Sequence, residues 1–218
     1  MEFLQFLCQK YAQSDLTKKS DRVIAISGLM ERMKSVWGTK CNYGIFEKYT
    51  CRLLLWERTD AAEDKAPDAL KEGQQLPSWS WMRHSRIDFF PGAYLGLKLP
   101  VQTEVRFDTE RQDALLVRIR VIEGCTKERV RSEYAVLDVD GKRVGRCSFD
   151  TMSDTRLQHC VVIGMDASPG QSVRADAEKT YCVLFVGQTP SENHYKRVGV
   201  GEIKACCVSK QYCDGKLL

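Results

Sequence analysis

No run of apolar residues in this 218-residue chain approaches the ~20 needed to span a bilayer. The opening stretch, 1–10, is apolar but short, and Glu2 stands where a secretion signal carries positive charge. It is therefore not read as a signal peptide. Charge of one sign is scarce: 33 Lys and Arg stand against 29 Asp and Glu, leaving +4. The basic residues are spread among acidic ones, whereas a nucleic-acid binder gathers them in a patch. The chain is thus expected to bind neither nucleic acid nor membrane. Histidine is reduced to His84, His159 and His194, far apart in sequence. No P-loop, GxSxG elbow or HExxH is present. Gly199-Val200-Gly201 is too short for a dinucleotide fingerprint. The ten cysteines form no CxxC pair, which argues against a zinc knuckle. These absences give the expectation of a protein without catalytic residues, cofactor or metal.

Composition is otherwise ordinary for a globular chain, 43% hydrophobic and 28% charged. Cys160 and Cys182 sit inside apolar runs, where free cysteine behaves as a small hydrophobe. Reduced thiols and a cytoplasmic location follow as expectations. The adjacent Cys206 and Cys207 are read as thiols, not as a vicinal disulfide. His159 and Cys160 are neighbours on a strand pattern and so point to opposite faces, which keeps them from forming a catalytic pair. Asp138, Asp140 and Asp150 are read as turn and surface residues, not as a cation site.

Periodicity divides the chain. Phe3, Leu7 and Tyr11 recur every four residues and predict a helix over Glu2–Gln13. It begins without a capping residue, which suggests a piece of something longer or a reduced gene product. Ser20 is a suitable N-cap, and Val23, Ile26, Met30, Met33 and Trp37 predict an amphipathic helix that stops at Gly38. Ile45, Phe46, Tyr49, Leu53 and Trp56 predict a third helix over Tyr43–Glu57. From there the pattern is loop, then period two. Val101–Phe107, the run Leu115/Val117/Ile119/Val121, His159–Met165, Tyr181–Gly187 and Tyr195–Val208 predict strands. Tyr134–Val139 and Lys142–Phe149 flank Asp140-Gly141, a hairpin signal. Gly199 and Gly201 predict a bulge or a close backbone approach.

The division expected is a helical segment 1–57, a flexible loop 58–76, a β-rich segment 77–210 packed with the helices as one domain, and a tail 211–218. The fold class is α+β, with N-terminal helices on a predominantly antiparallel β-sandwich or open barrel.

The architecture hinges on Pro77-Ser78-Trp79-Ser80-Trp81. Small polar and large aromatic residues alternate, which predicts a strand with both indoles on one face. Each can bury roughly 200 Å², so a core role is expected, with a sugar-stacking platform at Trp79 and Trp81 as the alternative. Asp21 and Arg22, charged and beside an apolar helix face, are candidates to pair with a facing module. Trp56 joins Trp79 and Trp81 as a candidate structural or interface residue.

Tyr11, Leu16-Thr17, Ser20-Asp21-Arg22-Val23-Ile24-Ala25-Ile26-Ser27-Gly28-Leu29, Gly44-Ile45-Phe46, Leu54-Leu55-Trp56 and Pro77–Trp81, in that order, resemble the region downstream of the HET domain in fungal heterokaryon-incompatibility proteins. Tyr181–Leu184 and Tyr195–Gly199 resemble its C-terminal end. Ala12, Ser14, Phe46 and Leu76 depart from the family's usual residues. The HET domain itself has no counterpart here. The resemblance implies a regulatory or recognition module of a non-self-recognition system, with a HET-domain protein or an upstream HET domain as partner. A ligand-binding β-module is the alternative.

Overall fold

A computed structural model describes residues 2–14, 21–59, 75–90, 104–131, 133–165 and 179–218. The first helix, α1, covers Glu2–Gln13 as its spacing predicts. Its inward face is different: Leu4, Gln5, Cys8 and Ala12 are buried, while Phe3 is 71% exposed. The small side chains at 8 and 12 let the helix backbone approach the core, which the neighbouring Phe3–Leu7 stripe would hold off. The second helix, α2, spans Arg22–Trp37 and ends at a left-handed Gly38. Ile26 and Met30 are buried, and Val23, Met33 and Trp37 pack against the same core.

The helix expected over Tyr43–Glu57 is absent. In its place, strands β1 (Cys41–Asn42) and β2 (Ile45–Phe46) form a two-residue hairpin. One helical turn, α3 (Thr50–Leu53), follows, and then strand β3 (Trp56–Arg58). Tyr43 and Gly44 both have positive φ, the geometry a two-residue hairpin turn favours. The apolar residues expected on one helix face are still buried or half-buried. Only Glu47 and Lys48 between them are exposed, too short a wet stretch to tell a helix from a hairpin and turn.

The Pro77–Trp81 stretch is not a strand either. The chain turns at Ser78-Trp79 and runs into a short 3-10 helix at Trp81–Arg83, whose Met82 amide donates to Ser80 Oγ at 3.2 Å. Leu76–Met82 are all buried, so the segment has no solvent face that alternation would serve. It leads into β4 (Ile87–Phe89), which pairs antiparallel with β3. Most of the expected 58–76 loop lies outside the described residues.

The rest is β-structure: β5 (Val105–Phe107), β6 (Leu115–Val121), β7 (Thr126–Val130), β8 (Glu133–Leu137), β9 (Arg143–Phe149), β10 (His159–Met165), β11 (Thr180–Gln188), β12 (His194–Lys204) and β13 (Cys213–Leu217). Five of them close a barrel in the order β11-β10-β6-β13-β12, with β12 returning to β11. The fold is thus mixed α+β and mostly β. Its barrel is closed, not open, and β9, β8 and β7 extend from the second edge of β12. The expected tail 211–218 is corrected: residues 213–217 are a barrel strand, antiparallel to β6 and parallel to β12. Val121, expected to face inward with Leu115, Val117 and Ile119, ends β6 and is exposed. The β8–β9 hairpin turns at Asp140-Gly141 as predicted.

Alternate residues of β10, β11 and β12 feed two cores. Val161, Ile163, Cys182, Leu184, Val186 and Val200 join Leu4, Ile26, Met30 and the three tryptophans Trp56, Trp79 and Trp81. Cys160, Val162, Val183, Phe185, Val198 and Ile203 pack with Val136, Cys147 and Phe149. Gly199 and Gly201 permit the second arrangement. A Cβ on Gly201 would meet the Arg146 carbonyl and the Phe185 ring, and one on Gly199 the Ser148 carbonyl. The pairing of β11 with β12 also shifts register beside Phe185.

Candidate functional site

The three tryptophans converge, and all are 0% exposed. Trp56 Nε1 donates to the Trp79 carbonyl at 3.0 Å, and Trp81 Nε1 donates to the Gly44 carbonyl at 3.0 Å. A Cβ on Gly44 would lie 2.6 Å from Trp81 Nε1, so only glycine lets the indole come this close. Trp81 also meets Tyr11 edge-on, with ring centroids 6.4 Å apart, and Trp79 meets Tyr43 at 5.7 Å. The expected core role holds. An aromatic platform open to a sugar does not, because neither ring reaches solvent. Asp21 stands at the N-cap of α2, and Arg22 opens that helix. Asp21 does not line the cavity described next.

Beside the tryptophans lies a buried ion pair that the sequence reading missed. Arg197 Nε lies 3.1 Å from Asp150 Oδ2, and Nη2 lies 3.2 Å from Oδ1. The guanidinium donates to the Leu54 carbonyl at 2.9 Å and to the Trp56 carbonyl, and it stacks 3.3 Å from the Trp56 ring centroid. The Arg197 amide donates to Ser78 Oγ at 2.9 Å. Arg58 donates to the Asp150 carbonyl at 2.7 Å. Burial pushes the Asp150 carboxyl up and the Arg197 guanidinium down to about 10, with the partner's charge opposing each shift. Asp150 is therefore neither a surface nor a turn residue. The signal available in the sequence was an arginine within an apolar strand pattern, which requires a partner when buried.

This pair forms the inner wall of a cavity of about 340 Å³. The tryptophan segment supplies Ser78, Arg83 and His84; the residues after β9 supply Asp150, Thr151 and Asp154; and the start of β12 supplies Lys196 and Arg197. Arg111 and Asp113, from the turn between β5 and β6, complete the rim. Ser78 also fixes the end of the described chain, its amide donating to the Leu218 oxygen at 2.9 Å. His84 is buried against Trp56, ring centroids 5.3 Å apart. Burial pushes its pKa well below the usual histidine value, and Arg58, Arg83 and Arg197 push it the same way. Asp154 is held down to about 2 by Arg156, with Lys196 adding to the effect.

The three histidines do not converge, since His159 and His194 lie outside the cavity. Burial raises the thiols of Cys147 and Cys160 to about 12. Among the described residues no group of His, Cys, Asp and Glu side chains is arranged to hold a metal ion, and no helix is long and apolar enough to cross a membrane. Compared with protein-family models, curated proteins and solved structures, the chain finds no match in any of the three.

Proposed function

We propose that the chain is a non-catalytic regulatory or recognition module of the fungal heterokaryon-incompatibility type, acting in the cytoplasm with a HET-domain protein or an upstream HET domain. The supporting observation is where the motifs behind the resemblance meet. Leu54-Leu55-Trp56, Pro77–Trp81 and Tyr195–Gly199 are up to 143 positions apart in sequence, yet Arg197, Ser78 and the three indoles tie them into one junction. A motif set that builds a junction between layers is what a family sharing this fold would carry. The non-catalytic reading is supported by the chemistry of the candidate groups. The cavity's acids are held in ion pairs, and the buried thiols are poor nucleophiles because burial disfavours the thiolate.

A pull-down of HET-domain proteins by the purified chain tests this reading, together with growth of fungal cells that co-express the two. Retention of a HET-domain protein and a change in the death response are expected. Failure to retain any such protein, with growth unaffected, would overturn it. The alternative ligand-binding module draws no support from Trp79 and Trp81, whose rings are enclosed.

A further inference from the structure

The cavity beside the tryptophan junction is lined by four cationic side chains, three aspartates and Leu218, an arrangement independent of any HET partner. Its inner arginine, Arg197, is held by Asp150 and two carbonyls. At the rim, Lys196 pairs with Asp154 at 2.7 Å and Arg111 with Asp113 at 2.8 Å. Arg83 is left over. This half-buried residue lines the cavity, and its side chain makes no hydrogen bond or ion pair among the described residues. Its surroundings disfavour its charge through burial, and Asp150, already bound to Arg197, only partly opposes that.

We propose that this cavity binds a small phosphate-bearing anion, with Arg83 as its principal anchor and Lys196 and Arg111 closing on it from the rim. A planar guanidinium fork matches two phosphate oxygens at once. The rim cations are available because their side chains are 46% and 44% exposed. The Arg111–Asp113 pair, exposed on both sides, is worth about 0–1 kcal/mol, so a bound dianion can draw Arg111 from its aspartate at little cost. Asp154 is only 16% exposed but keeps Arg156 as a partner at 2.8 Å, so Lys196 can turn to the anion without stranding it. The buried Arg197–Asp150 pair, by contrast, stays in place and serves as a fixed wall. Thr151 lines the same space, and its hydroxyl, which accepts from Ser153 at 3.4 Å, retains its own proton to donate. A volume of about 340 Å³ exceeds that of a bare phosphate and suits a small phosphate monoester.

The test is isothermal titration of the full chain with inorganic phosphate, glycerol 3-phosphate and malonate, each against sodium chloride of equal ionic strength. Expected is saturable binding of both phosphates, glycerol 3-phosphate the tighter, with malonate weaker. Arg83→Gln should lose at least about tenfold in affinity, the size of a charge-assisted pair of hydrogen bonds. Circular dichroism of that variant reports whether it is folded. Should it not fold, the Lys196→Gln/Arg111→Gln variant, altered only at exposed side chains, carries the same expectation of weakened phosphate binding. No heat beyond the chloride control, malonate binding as tightly as phosphate, or unchanged affinity in the folded variants would each overturn the proposal.

Discussion

Arg197 reads as an ordinary charged residue in sequence and behaves as a buried strut in the fold. It removes two carbonyls and one carboxylate from the list of unpaired buried groups. Taking it away strands those acceptors, and breaking one side of a buried ion pair costs about 3–5 kcal/mol. Arg197→Met should therefore lower the urea midpoint sharply. Adding Asp150→Leu should recover part of the loss, because the orphaned carboxylate goes while the Leu54 and Trp56 carbonyls stay unpaired. A double variant no more stable than the single one would show that the carboxylate is not the source of the cost. The tryptophans were legible at this scale, because their area demands burial whatever backbone carries them. Arg197, Asp150 and Arg83 were not. The Arg197–Asp150 pairing is set by contacts between segments roughly 50 to 140 positions apart, and Arg83 reaches the same cavity from a further segment, which no local pattern encodes.

At the scale of elements, legibility followed the presence of a wet face. The α2 helix has one, and its stripe, its end at Gly38 and its length were all readable. The 43–57 segment exposes only Glu47 and Lys48, and a hairpin, a helical turn and a strand replaced the helix that its spacing suggested. Strand β7, Thr126–Val130, escaped notice for the opposite reason: it is nearly all exposed, charged and at the sheet edge. Glycines divide in the same way. Gly28 lies inside α2 with nothing within 4 Å of an added Cβ, so Gly28→Ala should stabilise the protein by up to about 1 kcal/mol. Gly201 faces the Arg146 carbonyl across the ladder, so Gly201→Ala should destabilise by about 1–3 kcal/mol through overpacking. Thermal melts of the two variants check both signs, and equal shifts would undo the contrast.

For the molecule as a whole, the position of β13 matters most. It lies between β6 and β12, so removing 211–218 opens the barrel along two edges and takes away the Leu218 oxygen that holds Ser78. The truncated chain should lose cooperative unfolding in urea and expose hydrophobic surface to a dye such as ANS. A sharp transition retained after truncation would contradict this account of closure. From sequence alone the segment was read as a tail, because 211–216 contains little that is apolar and only two leucines follow. Its value lies largely in backbone pairing, which leaves no mark in side-chain hydropathy, with Leu217 its one fully buried core residue.

Synthesis on the ribosome gives this placement a temporal meaning. Strand β6 is made almost a hundred residues before the piece that covers its edge, and until that piece emerges both bordering strands offer bare amides and carbonyls to any passing chain. The nascent protein therefore carries an unzipped seam for the whole interval between the two strands. Copies that stop short of β13 would meet chaperones or aggregate, while copies that include it close the seam in one step.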